Sequence, residues 1–89
     1  MSYRVEIPPA TQKEIRVLPG HVRGQVRELL RELEREPRPP RAKELRDKSN
    51  IYRIWLATRW RLVYEIDDHV QTITLLRVRL KEDIDYESI

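Results

Sequence analysis

Arginine and tryptophan residues alternate with apolar residues in the middle of the sequence, and their types and spacing are suited to chemistry on a phosphate. Arg53 and Trp55 lie in one alternating segment and Arg61 lies in the next. A guanidinium group matches phosphate oxygens with two parallel hydrogen bonds, and an indole ring can stack on a base. This mixture predicts a surface for single-stranded or locally unpaired RNA. The alternative interpretation is a basic, solvated sheet face that prevents aggregation.

The basic surface extends further if the last strand pairs beside these segments with its side-chain parity preserved. In that register Arg77, Arg79 and Lys81 reach the same face. Ile73 and Leu75 share their parity, so the strand is either buried on both faces in its first half or shifted by a bulge. The sequence leaves both arrangements open. The remaining RNA-binding candidates are Lys43, Arg46 and Arg59.

The sequence lacks the residue patterns of other kinds of catalytic site. His21 and His69 show no paired arrangement, which is typical of surface residues rather than of an acid and a base. Carboxylates do not cluster at the spacing of divalent metal ligands. The only glycines are Gly20 and Gly24, which excludes a glycine-rich phosphate loop, and the lack of cysteine excludes disulfides and thiolate nucleophiles. The sequence therefore predicts chemistry without a metal or a cofactor.

Length and charge set the broad class of the protein. The 89 residues fit one domain, predicted at 1–89. The net charge is only +3, but residues 41–81 carry 10 basic and 5 acidic side chains, and residues 82–89 carry four acidic and no basic ones. No segment has the apolar core of a secretory signal or the length of a membrane span. We expect a soluble, cytoplasmic protein with a basic middle and an acidic tail.

The N-terminal part of the chain predicts one strand and two helices. Residues 3–7 alternate apolar and charged side chains until Pro8-Pro9 ends the strand. Thr11 and Glu14 have the spacing of a capping box, which predicts the start of a first helix. From His21 to Glu36 apolar residues recur at helical spacing, and this segment predicts the second helix.

The charged residues of the second helix have mixed signs. Opposite charges at this spacing usually mark a solvated face, so the sequence favours that interpretation over a nucleic-acid-binding helix. The residues concerned are Arg27, Glu28, Arg31, Glu32, Arg35 and Glu36. Residues 37–40, with three prolines, predict a stiff connector.

After the connector the apolar period changes from helical to two, which predicts strands. Residues 51–57 alternate, Thr58-Arg59 can turn the chain, and residues 60–66 alternate again, so a hairpin is predicted. Asp67-Asp68-His69 supplies the next turn, and residues 70–80 predict the last strand.

The order of these elements predicts the α+β class. We expect two N-terminal helices packed on one face of a twisted, mainly antiparallel sheet of four to five strands, the fifth being a short strand near residues 43–46. Since helices cover only one face, the opposite face stays partly solvated. The arginines and Trp55 are predicted to lie on that open face.

The sequence resembles the RelE/ParE superfamily of toxins from type II toxin–antitoxin systems, in its RelE-like branch. The similarity runs through nearly the whole chain. Its most specific part is a Tyr-Arg-Ile strand followed by an aromatic-Arg-Leu-Val-Tyr strand. The similar features are the strand opening at Tyr3, Leu18-Pro19, Leu45-Arg46, Tyr52-Arg53-Ile54 and Trp60-Arg61-Leu62-Val63-Tyr64-Glu65.

The resemblance implies a toxin that binds in the ribosomal A site and cleaves mRNA there. The reaction is attack of a ribose 2′-OH on the adjacent phosphate, which needs no cofactor and no metal. It also implies two partners, namely the ribosome with its mRNA and a cognate antitoxin with which the chain forms a hetero-oligomer. A ParE-like inhibitor of DNA gyrase and a degenerate member that only binds antitoxin are the alternatives.

Carried over by position, the resemblance implies the active residues. Arg61 matches the family arginine that stabilises the phosphate, and Arg53 takes the place of a basic residue on the preceding strand. Lys81, or Arg79 in its stead, takes the place of the C-terminal basic residue, and Tyr86 that of a family tyrosine.

Two features depart from the family pattern. Trp55 stands where RelE itself has a second basic residue, so base stacking replaces a charge there or activity is reduced. Tyr86 is surrounded by four acids, which disfavour the approach of a phosphate. Packing of the tail is the competing role for Tyr86.

Overall fold

A five-stranded sheet with two helices forms the frame of the computed structural model, which describes residues 2–89. Met1 of the predicted domain lies outside the described residues. The chain order is β1 (Arg4–Glu6), α1 (Pro9–Arg16), α2 (Gly20–Arg35), β2 (Lys43–Glu44), β3 (Ile51–Leu56), β4 (Trp60–Asp67) and β5 (Thr72–Leu80), followed by single 3₁₀ turns at Lys81–Asp83 and Tyr86–Ser88. The predicted α+β class is confirmed.

The strands lie in the order β1-β5-β4-β3-β2. β2 to β5 pair antiparallel, and β1 alone pairs parallel with β5. β2, at only two residues, is the short fifth strand that the sequence allowed. The prediction of a mainly antiparallel sheet is therefore confirmed. Within residues 2–89 no helix is both long and apolar enough to cross a membrane.

The core forms between α2 and one face of the sheet. The predicted helical stripe of apolar residues is buried, and so are alternate residues of the three long strands. Removing this apolar surface from water is the main favourable contribution to folding. The fully buried members include Val22, Leu33, Ile54, Leu62, Tyr64, Ile73 and Leu75.

A β-bulge in β5 resolves the ambiguity of the last strand. Val63 pairs with Arg77 but Tyr64 pairs with Leu75, so Leu76 is an extra residue on β5. Before the bulge Leu75 faces the core, and after it Val78 does. The parity therefore changes at Leu76, and Arg77 is carried to the face opposite the core.

The first helix covers an edge of the sheet that the short strand β1 leaves open. β1 pairs only with Thr72–Thr74, so the later part of β5 pairs with β4 on one side and has no neighbouring strand on the other. The Thr11 hydroxyl lies 3.1 Å from the Leu75 carbonyl oxygen and 3.2 Å from that of Leu76. A Glu14 carboxylate oxygen accepts a hydrogen bond from the Val78 amide at 2.9 Å. Side chains of α1 thus satisfy main-chain groups that a further strand would otherwise bind.

The predicted capping box is wrong. α1 begins at Pro9, and its N-cap Pro8 makes no side-chain hydrogen bond. Proline is favoured in the first turn of a helix because the missing N–H would have no partner there. Thr11 therefore falls inside the helix, and its hydroxyl is free to reach β5.

The proline-containing connector is tied to the sheet by aromatic residues. The buried Tyr64 hydroxyl donates a 2.7 Å hydrogen bond to the Pro37 carbonyl, and its ring stacks on Tyr52 with centroids 5.8 Å apart. Arg38 donates to the Tyr52 hydroxyl at 2.9 Å and to both carboxylate oxygens of Asp68, at 3.2 and 2.8 Å. Burial raises the pKa of Tyr64 well above its ordinary value, and the Arg38 hydrogen bond lowers the pKa of Asp68.

Removing the Thr11 hydroxyl tests the edge contact. We expect Thr11→Val to lower the free energy of unfolding by about 1–2 kcal/mol, because the Leu75 and Leu76 carbonyls lose the single hydroxyl donor that they share while the side-chain volume is kept. Urea unfolding measures the change. The control is Thr74→Val on the open face of β5, which should change stability by less than about 0.5 kcal/mol. Equal losses in the two variants would contradict the assignment.

The Tyr64 hydroxyl predicts a loss of stability at alkaline pH. Above the ordinary tyrosine pKa of about 10 the unfolded chain releases this proton while the folded chain keeps it, so stability falls as pH rises. Tyr64→Phe should cost about 1–2 kcal/mol at neutral pH, because the Pro37 carbonyl loses its donor. The variant should then lose stability less steeply than the parent chain between about pH 9.5 and 11.5. Denaturant unfolding at several pH values measures this, and parallel curves would refute it.

Candidate nucleic-acid interface

The face of the sheet opposite the helices gathers the basic residues that the sequence singled out. Cross-strand pairing places Trp55 opposite Arg61 and Arg61 opposite Arg79, so these residues form one row across β3, β4 and β5. The next row holds Arg53, Val63 and Arg77. The structure shows these arginines and the tryptophan on one face of the sheet, as predicted.

Arg61 lies at the centre of this face and is almost fully buried. It is 7% exposed, its Cζ lies 3.9 Å from the centre of the Trp55 ring, and its Nη1 donates a 2.7 Å hydrogen bond to the Tyr86 hydroxyl. Its Nε is buried and has no hydrogen-bond partner within residues 2–89. No carboxylate among residues 2–89 forms an ion pair with it. A buried cation without an acidic partner favours the binding of an anion.

The C-terminal tail folds back over the open face. Tyr86 begins the last 3₁₀ turn and reaches Arg61, while the Lys48 ammonium donates a 2.7 Å hydrogen bond to the main-chain oxygen of Ile89. Val63 is fully buried although it points away from the helix-covered core. The middle of the face is therefore covered. Packing of the tail was an alternative role for Tyr86 in the sequence, but its position on this face was not predicted. The apolar side chains Ile84 and Ile89 within an acidic segment were the available signal.

The structure separates the two candidates for the C-terminal basic group. The Lys81 ammonium lies 5.5 Å from the centre of the Trp55 ring and so joins the group around Arg61. Arg79 is turned towards α1, where its Nε donates a 2.6 Å hydrogen bond to Glu14. Lys81 is therefore the residue that lies beside the centre of the face.

A groove of about 490 Å³ lies beside Arg53 and Tyr86. Its other walls come from β2 and from the loop that follows, and they bring in two of the RNA-binding candidates, Lys43 and Arg46. Lys48 also lines this groove and was not singled out from the sequence.

Two other candidates lie outside this group. Arg59 is in the turn between β3 and β4, where it is exposed and forms a 3.6 Å ion pair with Glu82. Arg77 is partly buried, and its Nη1 donates to the main-chain oxygen of Leu76 at 2.8 Å. The structure therefore brings Arg53, Trp55, Arg61, Lys81 and Tyr86 together, with Lys43 and Arg46 at the margin.

The far end of the same face has the opposite charge. A groove of about 530 Å³ there is lined by several acids, by Arg4 and by His69. The acids are Glu6, Glu65, Asp67 and Asp68. In the part of the chain that the structure describes, no group of three or more histidine or acidic residues is placed to hold a metal ion. An anionic strand on this face is thus attracted to the end that holds Arg61 and repelled from the other.

Comparison with known proteins places this geometry in a family. A family profile described as the ParE toxin of type II toxin-antitoxin system, parDE, matches residues 5–84. No curated protein sequence matches the chain.

Solved structures show the same fold. A mutant of the E. coli toxin RelE in the free state is 29% identical, with a TM-score of 0.85, over 99% of this chain and 93% of that one. The intact E. coli RelBE toxin–antitoxin complex matches with 30% identity and a TM-score of 0.79, over 89% of this chain and 96% of that one. The RelBE2 toxin–antitoxin complex of Mycobacterium tuberculosis matches at 28% identity and a TM-score of 0.77, over 91% and 100%.

The match to the family profile covers most of the chain, and the likeness to RelE structures extends over nearly all of it. The resemblance read from the Tyr-Arg-Ile and aromatic-Arg-Leu-Val-Tyr strands is therefore confirmed. This chain belongs to the RelE/ParE superfamily of toxins of type II toxin–antitoxin systems, in its RelE-like branch.

Proposed function

We propose that this chain is a cytoplasmic toxin that cuts mRNA in the ribosomal A site, with the ribosome orienting the message. The observation that carries the proposal is the environment of Arg61, a buried cation with an unpartnered Nε, no acidic partner and a neutral tyrosine hydroxyl at 2.7 Å. Such a group suits the charge that gathers on a phosphate during cleavage.

The reaction that fits is an internal transfer at phosphorus. The ribose 2′-oxygen forms a bond to the adjacent phosphorus, the bond to the 5′-oxygen breaks, and the 2′-proton passes to a base while the leaving oxygen gains a proton. The products are a cyclic phosphate and a 5′-hydroxyl end. Arg61 would hold the non-bridging oxygens, Tyr86 would exchange a proton, and Lys81 and Arg53 would add positive charge.

The surroundings of Arg61 suit a single RNA strand. Trp55 is 45% exposed and offers part of its ring to a base, while its contact with the guanidinium orients Arg61. The groove beside Arg53 leads the backbone towards Lys43 and Arg46, and its lining is of mixed charge because Glu44, Asp47 and Glu87 also contribute to it. In this proposal Trp55, which stands where RelE has a basic residue, stacks on a base instead of binding a phosphate.

The partner proposed for this toxin is an antitoxin. RelE neighbours from E. coli and M. tuberculosis are described as toxin–antitoxin complexes. A segment with acidic and apolar side chains would fit the basic end of the open face and cover Trp55. We therefore expect a hetero-oligomer in which the antitoxin masks this face.

Inhibition of DNA gyrase is the second candidate function, because the matching family profile is described as a ParE toxin. Gyrase inhibition does not require a group of residues that cleaves phosphate. The two functions therefore differ in their dependence on Arg61.

Replacing Arg61 separates the candidates. In a cell-free translation reaction with primer extension we expect codon-phased cuts from the parent chain, and a rate lower by about 10²–10³-fold for Arg61→Ala, because the developing charge loses its cation. Arg59→Ala, which removes an exposed arginine two residues away, serves as the control and should keep the rate within about threefold. Intact mRNA together with stalled DNA supercoiling by purified gyrase would instead favour the ParE-like function.

Tyr86 is tested by removing one oxygen atom. Tyr86→Phe should lower kcat by about 10²-fold while KM changes little, since proton transfer is lost and the ring remains in place. Tyr3→Phe is the matched control, because its hydroxyl binds Asp68 and the variant should retain activity. A kcat that is unchanged in Tyr86→Phe would show that the tyrosine only packs the tail.

A further inference from the structure

The outer side of α2 carries a regular row of arginines. Arg23, Arg27, Arg31 and Arg35 are spaced by four residues, which corresponds to a rise of about 6 Å between neighbours. All four are exposed, and within residues 2–89 none of them forms an ion pair. We call these four residues the arginine ridge.

The acidic residues of α2 lie on a different side of the helix. Glu28, Glu32 and Glu36 each follow a ridge arginine by one residue, which places them about 100° further around the axis. Glu32 is bound by Arg41 at 2.7 Å. The charges thus form two parallel stripes. The predicted solvated face of α2 is therefore basic along one line and acidic along the other. Glu34 borders the ridge near its C-terminal end, so the positive charge is densest in the N-terminal half.

Gly24 lies in that N-terminal half, inside the helix. A Cβ atom built there meets nothing within 4 Å, so no contact in the described chain requires a glycine. Glycine is less favourable than alanine inside a helix, and one use for it is the close approach of a partner's backbone. The N-cap Pro19 makes no side-chain hydrogen bond, which leaves the positive end of the helix dipole next to Arg23.

We propose that the arginine ridge binds the sugar–phosphate backbone of folded RNA, as a second contact distinct from the open face of the sheet. The proposal rests on the proposed function, because the ribosome supplies such RNA. α2 packs its other side on the helix-covered face of the sheet, so the ridge and Arg61 lie on opposite sides of the molecule. One toxin can therefore hold structured RNA on the ridge while a single strand reaches Arg61.

The chemistry of the ridge favours RNA over a protein partner. Docking of an acidic helix or strand needs apolar anchors in addition to charge. The large exposed apolar side chains in residues 2–89 are Val17, Trp55 and Val70, and none lies on α2. A phosphate backbone requires only cations at regular spacing and room to approach, both of which the ridge and Gly24 provide.

The test measures binding of an RNA duplex of about 16 base pairs to the full chain. In the ridge variant, Arg27→Gln, Arg31→Gln and Arg35→Gln are combined, because glutamine keeps the helix propensity of arginine. We expect at least a tenfold loss of affinity at low salt, and a slope of log K against log salt that is shallower by about 2. The control variant combines Arg4→Gln, Lys13→Gln and Arg16→Gln and removes the same charge elsewhere.

A second variant tests close approach without changing charge. Gly24→Gln should weaken duplex binding several-fold while the thermal midpoint stays equal or rises, since glutamine stabilises a helix relative to glycine. Unchanged binding in Gly24→Gln would overturn the role of the bare backbone.

Three further outcomes would overturn the ridge as an RNA contact. The first is an equal loss of affinity in the ridge and control variants, which would be an effect of net charge. The second is a ridge variant that keeps its affinity for the duplex. The third is a ridge variant that loses antitoxin binding instead, which would identify a protein partner.

The binding of RNA by the arginine ridge and the proposed cleavage of mRNA can be tested independently. Arg61→Ala should lose mRNA cutting and keep duplex binding, because Arg61 lies on the other side of the sheet from the ridge. Duplex binding that depends on the ridge, in a chain that cuts no mRNA, would refute the proposed cleavage and leave the ridge contact standing.

Discussion

The middle of the central strand β4, from Arg61 to Tyr64, is buried on both faces, and the rest of the structure is arranged around that constraint. Leu62 and Tyr64 point into the core under the helices, whereas Arg61 and Val63 point the other way and are also buried. A charged group removed from water requires compensation. Here the stacking of Trp55 and the hydroxyl of Tyr86 provide it only in part, since the Arg61 Nε has no partner in the part of the chain that the structure describes.

The bulge at Leu76 extends this two-sided arrangement to β5. Without an extra residue, Ile73, Leu75 and Arg77 would share one face, and burying the first two would carry the arginine into the core. With it, Val78 fills the core and Arg79 turns towards Glu14 on α1. Glu14 also accepts a hydrogen bond from the Val78 amide. Helix α1 therefore covers the edge of β5 and holds the Arg79 side chain through the same residue.

Features that depend on neighbouring residues could be predicted from the sequence, whereas features that depend on contacts between distant residues could not. Local periodicity gave the helices, the strands and the shared face of Arg53, Trp55 and Arg61, because strand parity is set within a few residues. Local periodicity could not decide the register of β5, because the register with a bulge and the register without one bury the same residues up to Leu75. The same periodicity misidentified Thr11 as part of a helix cap, because the partners of its hydroxyl are 64 and 65 residues away. Ile84 and Ile89 indicate that the tail packs on the protein, but the position of Tyr86 beside Arg61 depends on how the tail crosses the sheet, which these two residues do not determine.

The residue that the tail places against Arg61 decides whether the site can bind phosphate. The tail carries four acids, yet Glu82 pairs with Arg59 and none of the four pairs with Arg61. A carboxylate at that position would form an ion pair that a phosphate had to displace, at the cost of leaving another charge unpaired. A neutral hydroxyl gives way more easily, because replacing it with an anion strengthens the hydrogen bonds to the guanidinium. The acidic tail that speaks against RNA binding in the sequence therefore places a neutral hydroxyl, and no carboxylate, against the central cation.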